Sequence, residues 1–280
     1  MKASRSDEPE IVKPKLDIVF KKLMIENKNV LKGFLSDILD IPKNDIGEIT
    51  NMNTDIIPQT IGGKESELDL KMTVGDKIIN IEIQLCNKGN FPERALYYWA
   101  NMFSEELKRG KDYEELMKTI CIDIVAFRLF DCDSAFSEFR LLETTRHEQL
   151  TDKCAIYFLE LCKVQSEVPE SDRKKLWMQL INAETKEELD MLEKTNIPEI
   201  KEAVTAISKM SDDELMRDRA RLREKTIRDA RAELNFAQQQ GIAKGRAEGI
   251  TEGRAERDKE IAANLRRKGY TEEQIADMLQ

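Results

Sequence analysis

Two acids and an amide, Asp69, Glu82 and Gln84, stand on stretches whose alternation would bring them together. In Glu67-Leu-Asp-Leu-Lys-Met-Thr-Val74 the apolar residues Leu68, Leu70, Met72 and Val74 share one face, and Glu67, Asp69, Lys71 and Thr73 the other. After Gly75-Asp76, Ile79, Ile81, Ile83 and Leu85 alternate with Asn80, Glu82 and Gln84. Two strands joined by a two-residue loop with glycine first predict a hairpin with a type II′ turn, in which residue i faces residue 151 minus i. Asp69 then faces Glu82 at a closely spaced, non-hydrogen-bonded pair, Lys71 faces Asn80, and Glu67 faces Gln84. Carboxylates this close repel, and a proton, a side-chain cation or a metal must relieve the repulsion. Mg²⁺ suits such a site, because it takes one or two carboxylates and completes its shell with water and phosphate oxygens. The competing reading is the solvated face of an ordinary antiparallel hairpin, with Lys71 as counter-ion.

Composition narrows the chemistry. The net charge is −9, which opposes indiscriminate binding to polyanions and leaves local or metal-mediated contact with nucleic acid. Residues 211–280 hold 15 basic and 15 acidic residues, so the acidic excess lies upstream. His147 is the sole histidine, and without a nucleophile motif a Ser-His-Asp or Cys-His mechanism finds no support. The five cysteines, Cys86, Cys121, Cys132, Cys154 and Cys162, contain no C-x-x-C spacing, and point to a reduced, cytoplasmic setting rather than a disulfide framework or zinc site. Neither a secretory signal nor an apolar run of membrane-spanning length is visible.

The elements that must position these residues follow from periodicity. Residues 1–12 read as a disordered lead-in. Leu16, Phe20, Leu23 and Met24, then Val30, Leu31, Phe34, Leu35, Ile38 and Leu39, predict two helices, and Asp17 and Lys21 fall four apart on the first, where an i,i+4 ion pair is the plain reading. Ile46–Gln59 suits a first strand or an irregular approach, followed by Gly62-Gly63. Glu93–Leu107 predicts a helix burying Leu96, Trp99, Ala100, Phe103 and Leu107. On it, Arg94 and Tyr98 lie one turn apart and could present a cation and a phenol to a phosphodiester at the open end of the hairpin. Ile120–Phe127, Ser137–Leu142 and Ala155–Leu161 predict further strands. The expectation is an α/β domain with a mixed central sheet flanked by helices, over residues 13–235, followed by an α-helical C-terminal extension.

Asp69, twelve intervening residues and Glu82-Ile-Gln84 resemble the D…E-x-Q variant of the PD-(D/E)XK nuclease core found in the recombination-promoting nuclease and putative transposase family. Lys15-Leu-Asp-Ile-Val-Phe-Lys-Lys-Leu23 and Arg94-Ala-Leu-Tyr-Tyr-Trp99 also resemble that family. The resemblance implies a restriction-endonuclease-like fold and a Mg²⁺-dependent DNA endonuclease linked to recombination or mobile-element activity. It implies Asp69, Glu82 and the Ile83 carbonyl as metal ligands, with Gln84 orienting the attacking water where many relatives carry lysine. Asp17 becomes a candidate third carboxylate, Lys21 and Lys71 candidate helpers, and Arg94 and Tyr98 candidate substrate contacts. A catalytically inactive module of the same fold, working by dimerisation or partner binding, is the alternative.

In the tail, Gly241, Gly245, Gly249 and Gly253 recur every fourth residue. Each costs a helix about 1 kcal/mol relative to alanine, so residues 236–258 read either as a helix kept small for close approach in a homodimer or as a charged tether. Residues 259–280 read as two short helices broken at Gly269-Tyr270, with a capping box at Thr271–Gln274. Glu272, Glu273 and Asp277 suit protein contact better than DNA contact.

Overall fold

The computed structural model describes residues 11–50, 70–106, 112–165 and 168–279, so Asp69, Glu67, Gly62-Gly63 and Leu107 lie outside the described residues. The chain divides after Ile227 into two compact units. In the first, helices α1 (Asp17–Glu26) and α2 (Lys28–Leu39) precede β1 (Ile49–Thr50), the hairpin β2 (Leu70–Val74) and β3 (Lys77–Gln84), and helix α3 (Phe91–Glu105). Strands β4 (Lys118–Val125), β5 (Phe136–Phe139) and β6 (Cys154–Glu160) follow, then helices α4 (Arg173–Asn182), α5 (Lys186–Glu193) and α6 (Pro198–Asp212). Helix α7 (Glu214–Arg267) begins in the first unit, and α8 (Glu272–Met278) ends the second.

Among the described residues, six strands form one sheet in the order β1-β2-β3-β4-β6-β5. The β3-β4 and β4-β6 pairs are parallel and the others antiparallel. The hairpin has the expected register, Leu70 opposite Ile81, Lys71 opposite Asn80 and Val74 opposite Lys77. Gly75 takes φ +58°, whereas Asp76 is not among the residues with positive φ, which is the combination a type II′ turn requires.

Parallel pairing decides the burial. A crossover between parallel strands must carry the chain over one face of the sheet, and α3 makes that crossing from β3 to β4. One face, with Ile79, Ile81, Ile120, Ile122, Ile124 and Leu159, packs against helical residues such as Phe20, Phe34, Trp177, Ile200 and Ile207. The other, with Ile78, Cys121, Val125, Ile156 and Phe158, packs against Phe91, Ala95, Trp99 and Met102 of α3. Trp99 Nε1 also donates to the Thr119 carbonyl at 3.0 Å, tying α3 to β4.

Two expectations are corrected here. The polar face of β3 is not solvated: Asn80 and Glu82 are only 4% and 6% exposed, because α3 covers the sheet there. On α3 itself, Leu96 and Ala100 are exposed, and the buried stripe is Phe91, Ala95, Trp99 and Met102. The helix begins two residues earlier than periodicity suggested, and Phe91 at its start, packed edge-on against Phe127 and Phe158, sets its rotation.

At the N-terminal side, Ile11 and Val12 are already buried, and the Val12 amide donates to Ser211 Oγ at 3.1 Å. In the second unit the helix breaks at Gly269 (φ +89°), where the Tyr270 amide donates back to the Leu265 carbonyl at 3.2 Å. Thr271 and Gln274 form the expected capping box of α8. The first of the two short helices expected here is instead the end of α7. Ile275 and Ala262 are buried. Among the described residues, a Cβ placed on Gly241, Gly245, Gly249 or Gly253 would meet nothing within 4 Å, and no contact there demands glycine. Among the described residues no helix is long and apolar enough to cross a membrane.

The hairpin turn is braced by close backbone approach: the Gly75 amide donates to the Glu48 carbonyl at 3.1 Å, and a Cβ on Gly47 would lie 2.6 Å from Gly75 Cα. Gly47→Ala must therefore push the hairpin away, and should lower stability by about 1–3 kcal/mol in urea unfolding, whereas an unchanged midpoint would show that this approach places no demand on the turn.

Candidate active site

Glu82 sits near the C-terminal end of β3, on the face roofed by α3. Its Oε1 accepts from Gln84 Nε2 at 2.6 Å and from Arg94 Nη2 at 2.9 Å. The strand's two-residue period puts Glu82 and Gln84 on one face, and the first turn of α3 brings Arg94 over them. Burial pushes the Glu82 carboxyl above its ordinary value, a shift that Arg94 and the Gln84 amide only partly oppose.

Arg94 is held by its own surroundings. Its guanidinium carbon lies 4.7 Å from the centre of the Phe91 ring, a cation-π distance. Its Nε is buried without a hydrogen-bond partner among the described residues, a deficit worth about 1–3 kcal/mol for a buried donor. The guanidinium therefore meets Glu82 through a single N–H rather than the paired fork it could offer.

A residue that sequence reading passed over stands beside Glu82. Asp123 on β4 is the register partner of Glu82 in the parallel ladder, and is 2% exposed. Partners in such a ladder project to the same face. The signal was present: one acid in the apolar run Ile120-Cys-Ile-Asp-Ile-Val125 is costly in a strand buried on both faces.

The remaining candidates occupy separate settings. Lys71 pairs with Glu105 at the end of α3, at 3.1 Å. Tyr98, half-buried, lies one turn beyond Arg94 with its ring 6.0 Å from that of Tyr97. Asp17 opens α1 and is 7% exposed; its Oδ1 accepts from Arg223 Nε at 2.9 Å and from the Ile18 amide at 2.9 Å, and its Oδ2 lies 2.7 Å from Arg223 Nη2. Arg223 could not have been found from spacing, since 206 positions separate it from Asp17. Lys21 is buried, at 2% exposure. Ile83 packs against the main core. The Gln84 carbonyl accepts from the Ala126 amide at 3.0 Å, so the Ile83 carbonyl, next in the alternation, is directed to the opposite edge of β3, towards β2.

Glu82 is thus in direct contact with both Gln84 and Arg94, whereas Lys71 and Asp17 are engaged elsewhere. Among the described residues no three His, Cys, Asp or Glu side chains group as a metal cage. The oxygen donors of Glu82, Gln84 and the Ile83 carbonyl nevertheless have the hard chemistry that Mg²⁺ prefers. A cleft of about 750 Å³ near α4 and α5, lined by residues such as Val168, Leu176, Gln179 and Met191, contains none of the candidate residues.

Two outcomes follow from these pairings. Because the folded-state pKa of Glu82 is raised above 4.5, its contribution to stability is present below that value and lost as pH rises through the raised one. Glu82→Gln should therefore gain stability relative to the native protein between pH 4.5 and neutrality, measured by denaturant midpoints; a pH-independent difference would contradict the shift. Arg223→Ala leaves the buried Asp17 carboxylate without its guanidinium and should cost roughly 3 kcal/mol, read by the same unfolding assay.

A family model described as PD-(D/E)XK nuclease family transposase matches residues 14–237. No curated protein and no solved structure matches the chain.

Proposed function

We propose, from the premise that this chain belongs to the PD-(D/E)XK nuclease family transposases, that it is a metal-dependent DNA endonuclease acting in recombination or mobile-element movement. The observation that carries this reading is the hairpin register, residue i opposite 151 minus i, observed from Leu70 to Val74. Asp69, the first acid of the family motif, lies outside the described residues and directly precedes that ladder in sequence, and Glu82, the second acid, stands on β3.

In this reading Asp69, Glu82 and the Ile83 carbonyl would hold Mg²⁺. The ion, when bound, supplies a water of lowered pKa and charge neutralisation at the phosphoryl oxygens. Gln84 cannot take up a proton near neutral pH, so its part is to donate to and orient the attacking water. Arg94 and Tyr98 hold the phosphodiester from α3. Asp17, Lys21 and Lys71 remain auxiliary candidates in this reading, with Asp17 paired to Arg223 and Lys71 to Glu105 in the free protein.

A second reading has its own observation. Arg94 already compensates the Glu82 charge at 2.9 Å, as it would in a module that keeps the fold and acts by dimerising or binding a partner through its helical C-terminal part. Nicking of supercoiled DNA in Mg²⁺ separates the two. Native protein should cut, Asp69→Ala and Glu82→Gln should fall to background, and Gln84→Ala should lose roughly 100-fold. Native protein that neither cuts nor binds Mg²⁺ by calorimetry would establish the non-catalytic reading.

A further inference from the structure

We infer that Arg94 is a substrate-operated switch on Glu82: in the free protein its guanidinium holds the carboxylate, and a phosphodiester draws it away, so that divalent cation and nucleic acid bind cooperatively. The inference rests on the assignment of Glu82 as a cation ligand.

Competition for one atom is the first argument. Arg94 Nη2 and Gln84 Nε2 both donate to Glu82 Oε1, and a divalent cation on that oxygen would meet the positive guanidinium across a hydrogen-bond distance. Like charges at that separation within a poorly solvated site disfavour simultaneous binding.

The second argument is that the present pairing leaves Arg94 under-used. One N–H reaches Glu82, and Nε is buried without a partner among the described residues. A guanidinium presents a planar fork that phosphate oxygens match in pairs, so a phosphodiester offers Arg94 more than Glu82 does. Arg94 also stands in the first turn of α3, at the end where the helix dipole favours anions and opposes cations. An anion arriving there relieves that conflict.

Third, the side chain can reach solvent without being lost to it. Arg94 is 29% exposed along its side chain while Glu82 is 7% exposed, and the Phe91 ring beneath the guanidinium gives it a surface on which to turn outward. Releasing Glu82 for the cation and engaging the phosphate are then one movement. Linkage makes the effect reciprocal: whatever factor DNA adds to cation affinity, the cation adds to DNA affinity.

Calorimetric titration of Mg²⁺ into the full chain, with and without a cleavage-resistant phosphorothioate duplex, tests this. In the native protein the duplex should tighten Mg²⁺ binding by about fivefold or more, the lower range of allosteric couplings. Arg94→Gln should bind Mg²⁺ more tightly than native protein without DNA, bind the duplex more weakly, and lose most of the DNA-dependent tightening. A native Mg²⁺ affinity indifferent to the duplex overturns the switch, whatever the variant does. So does Mg²⁺ binding that Arg94→Gln leaves unchanged. Absence of Mg²⁺ binding in both proteins overturns the metal assignment itself, and the switch with it.

Discussion

A carboxylate buried beneath a helix is the constraint on which the rest of this site turns. Glu82 is taken out of water by α3, and the loss of hydration raises its pKa even with Arg94 and Gln84 donating to the same oxygen. An ionised oxygen in a poorly solvated place gains more from charge compensation than one at the surface, and here Arg94 supplies it. The fold creates the condition directly: β3 and β4 run parallel, the connection between them must cross the sheet, and its helix lands over Glu82.

The same roof explains why the polar residues of β3 behave unlike those of an ordinary hairpin. An antiparallel pair at a sheet edge can keep one face wet. Here only β2 has antiparallel neighbours on both sides, and β3 is joined to β4 by a long parallel ladder. Asn80 and Glu82 are consequently enclosed, and Asp123 is enclosed beside them. Buried polar groups grouped on one face of a sheet are expensive unless they are paired or put to use, and of these Glu82 is paired with Arg94 at 2.9 Å.

Distant pairing has a comparable part on the other side of the sheet. Asp17 at the start of α1 is fixed by the two-pronged contact from Arg223 on α7, and Lys13 pairs with Glu224 one residue along that helix. The first turns of α7 thereby belong to the fold of the first unit, beyond the sheet and helices that its periodicity announces. Cys86 Sγ, just past β3, lies 3.9 Å from the Ile227 carbonyl of the same helix, so the part of α7 within the first unit reaches the end of the strand that carries Glu82.

Much of this was legible in the residues alone. Alternation in Leu70–Gln84 and the Gly75-Asp76 turn determined the hairpin and its register, because a period of two and a two-residue loop leave one pairing that keeps the apolar side chains together. Helical spacing located α1 and α2, the apolar run located β4, and the Thr271–Gln274 capping box located α8, since each depends on neighbours in sequence. Which face of β3 is wet, how α3 is rotated, that Asp123 lies beside Glu82, and that Arg223 holds Asp17 were decided only by tertiary structure. Those outcomes depend on strand order and helix crossing, which join residues far apart along the chain, and local periodicity carries no information about such partners.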